Sequence, residues 1–549
     1  MKTRKQTAIL LEKLMGDTSF CLCSGTTSSI RIDSVCADSR KVVPGALFIA
    51  IAGGKDDGHD YITQAAAAGA AAVVINLEKK SDSAVGELKD CVVIAVNDTR
   101  EVLGDIAAHF YGSPAERLTM IAVTGTNGKT TVSYLMEHVL AESGVRVGVI
   151  GTVSYRYYRD DGTLVSYPAP FTTPDPLVLH GVLEEMSGAG VTHVLMEVSS
   201  HALRQKRLGP IIFELAIFTN LSQDHLDYHH DMDDYFEAKC LLFREKMVTG
   251  GRVILCEPDA VNVQKKSWVE KLRFLCQELG LAVIRCGQSD DAQYRSAGLQ
   301  MDKAGMSFTA VESDGAAYDV TSPLIGLFNS ENLLAGVAAL RALGLEPVDI
   351  CRYLAGAHGA PGRMERVFLP VRNAKMPVVL VDYAHTPDAL ENVLATVADL
   401  PHRTLFCVFG CGGDRDRGKR PLMGEIAARY ADVAIITDDN PRTEDPAGIR
   451  NDIIASEAIG RQRIRDLNWL AHRRQGERGC LEISGRSRAI AAAVFHGGTE
   501  DIVLIAGKGH ETYQVTATGK SFFDDRLSAQ EHSLAWDVEL VAEATGGLS

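Results

Sequence analysis

The sequence predicts an α/β protein built as three domains, and three observations carry that prediction. A chain of 549 residues is too long for one ordinary core, since compact domains cluster near roughly 150 residues. Short apolar runs alternate with helical stretches in two separate series, one from about Thr119 and one from about Pro377, the pattern of βαβ units on parallel sheets. A glycine-bearing segment, Gly125–Gly128, joins an apolar strand of the first series to a helix.

Residues 1–115 make the first domain, an α/β unit with strand candidates at Ala46–Ile51 and Ala72–Ile75. Its amino-terminal stretch, Met1–Phe20, breaks its apolar residues with charge and offers neither a signal-peptide apolar run nor a cleavage site. The longest apolar stretch, Ala65–Ile75, is far short of the ~20 residues of a membrane span, so no span is expected.

Residues 116–357 make the central domain, with strand candidates Met120–Val123, Val147–Ile150, Val194–Met196 and Leu215–Phe218 on a parallel sheet. Leu299–Gly326 then alternates short strands with glycine turns, and Asn329–Leu343 reads as an Ala/Leu-rich helix ended by Gly344. The Pro361-Gly362 pair suits an interdomain hinge. Residues 358–549 form a Rossmann-like third domain, with strand candidates Val378–Val381, Leu405–Phe409, Val433–Thr437 and Ile502–Ala506.

Composition narrows the function. An apolar fraction of 46%, 23% charged residues and a mean hydropathy near zero belong to a globular chain rather than a disordered or membrane one. The twelve cysteines are scattered without ligand-like spacing, apart from Cys21-x-Cys23, so reduced core thiols are expected and neither a zinc site nor a disulfide framework. A net charge of −15 argues against nucleic-acid binding, because polyphosphate backbones are held by surplus Lys and Arg. Any phosphate must be bound locally.

The local site is Ile121-Ala-Val-Thr-Gly-Thr-Asn-Gly-Lys-Thr-Thr131, running from an apolar strand into a helix that begins near Thr130. Gly125 and Gly128 let backbone N–H groups approach an anion, Lys129 supplies a point charge to β- and γ-phosphates, and Thr130 offers a hydroxyl to Mg²⁺. The helix dipole adds to the attraction. The ordinary P-loop pattern would place its first glycine at Val123, so this is a shortened variant.

Thr124-Gly-Thr-Asn-Gly-Lys-Thr130 resembles the nucleotide loop of the Mur ligases and of the folylpolyglutamate synthetases. Met196-Glu-Val-Ser-Ser-His201, Asn220-Leu-Ser-Gln-Asp-His-Leu-Asp227, Asn329-Ser-Glu-Asn332, Pro361-Gly-Arg-Met-Glu365 and Asp382-Tyr-Ala-His-Thr-Pro387 follow in the order that family uses. The finer likeness is to the UDP-N-acetylmuramoyl-tripeptide synthetases. Asp38-Ser-Arg40, Pro44-Gly45-Ala-Leu-Phe48 and Asp57-Gly58-His59 look like their uridine-binding domain, which the folylpolyglutamate synthetases lack, and Thr172-Thr-Pro-Asp175 like their substrate loop. Gly413-Asp-Arg-Asp-Arg-Gly-Lys-Arg-Pro421, Asp439-Asn-Pro-Arg442 and Gly507-Lys-Gly-His-Glu511 are similar to the amino-acid pocket of the meso-diaminopimelate-adding branch.

The resemblance implies an ATP-dependent carboxylate–amine ligase, monomeric and cytoplasmic, acting in peptidoglycan synthesis. Its substrates would be UDP-N-acetylmuramoyl-L-alanyl-D-glutamate and meso-diaminopimelate. A carboxylate would attack the γ-phosphate of ATP, and an amine would then attack the acyl phosphate. Both steps gather negative charge, so catalysis rests on positioning and on cations.

Lys129, Glu197, His225 and Lys239 are the implied catalytic set. Glu197 closes an apolar strand, where an open α/β sheet places its ligands. With Thr130, His225 and Lys239 as a carbamate, it would hold Mg²⁺. Read in isolation, His225 is more often structural and Lys239 an exposed helix lysine. ATP would be bound by Gly125, Thr126, Asn127, Gly128, Lys129, Thr130 and Thr131, with Asn329, Asn332, Arg363, Asp382 and His385. Asn329 and Asn332 share one helix face and read equally as helix caps. Arg363 and Asp382, from the third domain, imply closure over ATP and exclusion of water from the acyl phosphate.

The UDP-linked substrate is assigned to Ser39, Thr172, Thr173, Ser199, Gln205 and Arg207, while the neighbouring Arg204 and Lys206 read as a solvated charge run. Diaminopimelate is assigned to Arg415, Asp439, Asn440, Pro441, Arg442, Gly507 and Glu511. It differs from lysine by a second carboxylate, which a guanidinium fork suits; Arg442 and Arg415 would supply it, and Asp439 and Glu511 would receive the distal ammonium. Lysine addition, another step of the same pathway and a nucleotide-binding regulator are the competing readings. Arg442 argues against the first, and retention of Lys129, Glu197, His225 and Lys239 against the last. Arg461–Ile483 reads as a basic surface insertion, and no site role falls on Ile483–Arg488.

Overall fold

The structure is a computed structural model that describes residues 8–53, 56–86, 88, 91–226, 228–257, 263–370, 376–466 and 468–544. The sequence readings of residues 1–7, of Asp227 and of Leu467 fall outside the described residues. The chain gathers into two compact units, one running up to Arg295 and taking in Leu334–Glu346, the other made of Ser296–Leu333 and the chain from Pro347 onward.

The first unit holds two large sheets, beside the short antiparallel pair Ile9–Leu10 and Arg31–Ile32. The amino-terminal sheet orders its strands Cys21–Ser24, Val92–Val96, Ala72–Asn76, Ala46–Ile49 and Ser34–Cys36, the first pair antiparallel and the rest parallel. Ala46–Ile49 and Val92–Val96 are buried along their whole length, as strands covered on both faces must be. Helix Thr99–Phe110 covers one face with Val102, Leu103, Ile106 and Phe110, and its start is fixed by Asp98, whose carboxylate accepts from Arg100 N at 2.8 Å.

In the central sheet the order is Leu164–Pro168, Ser154–Tyr158, Val147–Ile150, His193–Glu197, Thr119–Thr124, Phe213–Phe218, Met247–Cys256 and Ala282–Cys286, parallel from Val147–Ile150 onward. Thr119–Thr124 comes first among these in the chain yet lies inside the sheet, with Val123 opposite Glu197 on one side and Thr124 opposite Phe218 on the other. The chain order therefore reverses around this strand, and the crevice beyond its carboxyl end is where such sheets bind ligands. These strands outrun their apolar runs because terminal Thr, His and Glu residues still pair in the ladder.

In the second unit, Gly305–Glu312 and Ala317–Ser322 pair as an antiparallel hairpin. The main sheet orders Glu365–Val367, Val378–Asp382, Ile502–Ala506, Leu405–Phe409, Val433–Ile436, Gly479–Glu482 and Arg463–Ile464, all parallel except the first pair. Asp382 stands opposite Ala506, so the segments after Asp382, Phe409, Ile436 and Ala506 leave one end of the sheet together.

Arg461–Ile483 departs from the expected surface insertion. Gly479–Glu482 is a sheet strand with Cys480 and Leu481 each 1% exposed, and Arg463–Ile464 pairs beside it. Its apolar run is short and flanked by arginines, too weak a periodic signal to stand out. None of the twelve cysteines is in a disulfide, and nine of them are buried. No helix among the described residues is long and apolar enough to cross a membrane.

Candidate active site

The phosphate loop leaves the sheet after Thr124 and enters helix Lys129–Glu142 through Gly128. Gly125 and Gly128 have φ of 137° and 86°, a region costly for any side chain, and a Cβ on Gly125 would lie 2.1 Å from Thr219 Oγ1. The loop is held from the next strand end. Asn220 Oδ1 accepts from Asn127 N at 3.0 Å and Thr219 Oγ1 donates to Asn127 O at 2.6 Å. Thr126 Oγ1 accepts from Ser222 N at 3.0 Å and lies 3.2 Å from Tyr235 Oη. Thr131 is buried in the first turn of the helix.

Two lysines converge on this loop. Lys129 Nζ donates to Gly125 O at 3.0 Å and to Thr126 O at 2.8 Å. Lys239, on helix Met232–Glu245, donates to the same Gly125 O at 2.8 Å, stands 4.6 Å from the Tyr235 ring centroid, and is 2% exposed. Burial first, and the neighbouring Lys129 charge second, push the Lys239 pKa well below the ordinary lysine value. The sequence had suggested an exposed lysine when this residue was read alone; the structure buries it.

Glu197, the last residue of its strand, is 1% exposed. It accepts from Thr130 Oγ1 at 3.0 Å and from Thr152 N and Oγ1 at 3.2 and 2.8 Å. Among the described residues no Lys or Arg pairs with it, and a buried carboxylate surrounded only by neutral donors calls for a cation. The oxygens of Glu197, Thr130 and Thr152 form a hard donor set of the kind Mg²⁺ takes, so the residues fit the ion. His225 has φ of +56°; its ring lies 6.0 Å from that of Tyr235 and 4.9 Å from that of His201. Through Tyr235 it belongs to the neighbourhood of the loop.

The residues assigned to the UDP-linked substrate divide in two. Thr173 Oγ1 donates to Glu197 O at 2.8 Å and accepts from Ser199 N at 3.1 Å, while Thr172 Oγ1 lies 3.1 Å from Thr152 Oγ1. Arg207 donates to Thr173 O at 2.8 Å and to Gln205 Oε1 at 2.7 Å, and its guanidinium lies 4.5 Å from the Phe171 ring centroid. These five thus gather beside Glu197. Ser39 starts the short helical turn Ser39–Lys41 between two strands of the amino-terminal sheet; Asp38 caps that turn, and Ser39 Oγ lies 3.5 Å from Gln64 Oε1.

In the second unit, Asn332 Nδ2 donates to Asn329 Oδ1 at 3.0 Å and Asn329 Nδ2 to Ile325 O at 2.8 Å, both side chains being buried. Asp382 accepts from Met364 N at 2.7 Å and from Ala384 N at 2.8 Å; burial raises its pKa, against the nearby Arg363 charge and these two bonds. Arg363 stacks over Tyr383 at 4.8 Å, and His385 Nδ1 lies 2.9 Å from Tyr383 O. Pro361-Gly-Arg363 abuts Gly507-Lys-Gly-His-Glu511 backbone to backbone: a Cβ on Gly362 would lie 2.1 Å from Gly509 C and His510 N.

The residues assigned to diaminopimelate also come together. Asn440 Nδ2 donates to Glu511 Oε2 at 2.9 Å, and a Cβ on Gly507 would lie 3.6 Å from Asp439 Oδ2. Arg442, after Pro441 and at φ of +53°, donates to Gly413 O at 2.8 Å. A Cβ on Gly412 would lie 2.8 Å from Arg442 Nη1 and 3.7 Å from Arg415 Cγ, so the two arginines flank that glycine. Lys508 reaches both acids, donating to Asp439 Oδ1 at 3.3 Å and to Glu511 Oε2 at 3.1 Å. The carboxylates expected to await a substrate ammonium therefore already share a protein one.

Sequence reasoning missed Lys508, Thr152 and Asn220. Asn220 and Lys508 both stand inside motifs of the sequence, but only their hydrogen bonds show their use; nothing in the residue types around Thr152 pointed to it.

A phosphate loop at a topological switch point, with a buried carboxylate and two lysines beside it, defines an α/β enzyme of group transfer. Comparison with known proteins refines this. The Mur ligase family catalytic domain matches residues 31–111, the Mur ligase middle domain residues 123–340, and the Mur ligase glutamate ligase domain residues 362–509. The UDP-N-acetylmuramoyl-L-alanyl-D-glutamate–2,6-diaminopimelate ligase of Geobacter sulfurreducens is 41% identical over 505 residues, covering 91% of this chain and 94% of that one. Its Pseudomonas putida counterpart is 39% identical with the same coverage. A solved structure of an enzyme of that name superposes with a TM-score of 0.66 at 31% identity, over 97% of this chain and 100% of the other. The folylpolyglutamate synthase of Mycobacterium tuberculosis, solved with ADP and AMPPCP, shares the fold at a TM-score of 0.56 and 17% identity, over 79% of this chain and 95% of that one. The chain belongs to the Mur ligase family.

Proposed function

We propose that this ligase uses ATP to join meso-diaminopimelate to the D-glutamate carboxylate of UDP-N-acetylmuramoyl-L-alanyl-D-glutamate, in the cytoplasm, through an acyl phosphate. The observation that carries the reading is the convergence of Lys129 and Lys239 on Gly125 O beside the Glu197–Thr130 pair. The printed names of the relatives support the choice of substrates.

In this reading the loop N–H groups and Lys129 hold the phosphates and offset the charge that builds as the carboxylate attacks. Thr130 and Glu197, with Thr152, would hold Mg²⁺, which supplies positive charge to the phosphoryl oxygens. Burial lowers the Lys239 pKa and so favours its neutral amine, whose nitrogen can bond to the carbon of CO₂ and release one N–H proton to solvent, giving a carbamate anion beside that ion. Arg207, anchored on Thr173 and Gln205, can grip an anionic group of the UDP-linked substrate. Arg442 selects the second carboxylate of diaminopimelate.

The test is phosphate release from ATP with the UDP-muramoyl dipeptide, with diaminopimelate and L-lysine offered separately. Release that requires both dipeptide and diaminopimelate is expected. Release independent of the amino acid, or favouring lysine, would overturn the reading.

A further inference from the structure

Lys508 is fully buried, and its ammonium meets Asp439 Oδ1 at 3.3 Å, Asn440 Oδ1 at 3.1 Å and Glu511 Oε2 at 3.1 Å. Three donors thus meet three acceptors, as a buried ammonium requires. Its contact also fixes which way the Asn440 amide points. The oxygen of that amide takes bonds from Lys508 and from Val515 N at 2.9 Å, so the nitrogen is turned to Glu511 at 2.9 Å. Hairpin Tyr513–Thr516 and Gly519–Phe522 closes the arrangement, since Gln514 Nε2 donates to Asp439 O and Val515 O accepts from Arg442 N.

We infer that Lys508 is a positioning residue of the amino-acid site: it holds Asp439 and Glu511 together and leaves the pair one net negative charge, the complement of a single substrate ammonium. The inference rests on the amino-acid site proposed above. Two carboxylates that meet one ammonium repel each other once it is removed, and that repulsion favours protonation of one of them. The other groups that face them are Arg486, Tyr383, Tyr513, His385 and the Cys411 thiol, with Arg442 beside Tyr513. Arg486 is already committed to a buried pair with Asp525 at 2.6 Å, and Arg442 donates to Gly413 O, so Lys508 is the cation lodged between the two acids.

The test measures KM for diaminopimelate against pH in the full-length parent, in Lys508→Met, in Asp439→Asn and in the double variant. Lys508→Met is expected to raise that KM about 10- to 100-fold, a charged hydrogen bond's worth, and to give it a pH dependence that the parent lacks. KM values for ATP and the UDP-muramoyl dipeptide should stay within about twofold. The double variant, with the single negative charge restored, should bind diaminopimelate more tightly than Asp439→Asn alone, and this comparison stands even if Lys508→Met fails to fold. An unchanged KM and pH profile in Lys508→Met, or a double variant weaker than Asp439→Asn, overturns the inference. A parent with no diaminopimelate-dependent phosphate release overturns the proposed function instead.

Discussion

Lys129 and Lys239 donate to one oxygen, the carbonyl of Gly125, at 3.0 and 2.8 Å. Two ammonium groups on one acceptor would repel each other. The cost falls on Lys239, which is deeply buried and has no carboxylate within bonding distance among the described residues. The fold therefore favours its neutral form.

That preference sets a stability test with a definite sign. A lysine whose pKa is lowered in the fold binds its proton less tightly there than in the unfolded chain, so stability rises with pH from the lowered folded value until the ordinary lysine value of about 10.4 is reached. Lys239→Met removes this penalty while Lys129 still satisfies Gly125 O. The variant should be more stable than the parent near pH 7, by a margin that shrinks as pH climbs toward that value, and at least ~100-fold less active. Thermal unfolding followed across pH gives the comparison; a variant less stable at neutral pH would count against it.

Glu197→Gln keeps acceptor and donor atoms within reach of Thr130 and Thr152, so the fold should hold. The lost charge should lower kcat about 10²- to 10³-fold and raise the Mg²⁺ concentration that half-saturates activity. Activity titrated against Mg²⁺ decides the matter, and an unaltered half-saturation point would separate Glu197 from the ion.

Much of this was legible in the chain. Gly125 and Gly128 announce a tight strand-to-helix loop because few other residue types can take those backbone angles, and the place of Glu197 at a strand end follows once that strand is found. The buried lysines were not legible: Lys239 lies on a helix among acids, and Lys508 between two glycines, so each reads locally as solvated. Burial is decided by what packs over them, here Tyr235 and the Tyr513–Phe522 hairpin, which no local pattern encodes. The strand Gly479–Glu482 was hidden for the opposite reason, since long-range pairing supplied what its short apolar run could not.

Gly362→Ala tests how tightly the Pro361–Arg363 turn must pack. Its φ of +65° strains any side chain, and the new Cβ would lie 2.1 Å from backbone atoms of Gly509 and His510, which cannot rotate away. A loss of about 3 kcal/mol or more is expected. Urea unfolding should report it as a lower midpoint; a midpoint within error of the parent would mean the two segments part easily.

Arg442 joins a strained backbone to a charge that can choose the substrate. At φ of +53° it occupies a region glycine prefers, and it stays there because Arg442 N donates to Val515 O while its side chain donates to Gly413 O. Removing the guanidinium should cost about 1.5 to 3 kcal/mol of discrimination for diaminopimelate over lysine, the value of a charged hydrogen bond. Arg442→Ala loses the charge and keeps the strain; Arg442→Gly loses both, so it should fold at least as well while discriminating no better. If kcat/KM ratios for the two amino acids in both variants equal the parent's, the second carboxylate is read elsewhere. If only Arg442→Ala loses discrimination, the residue acts through its backbone and not its charge.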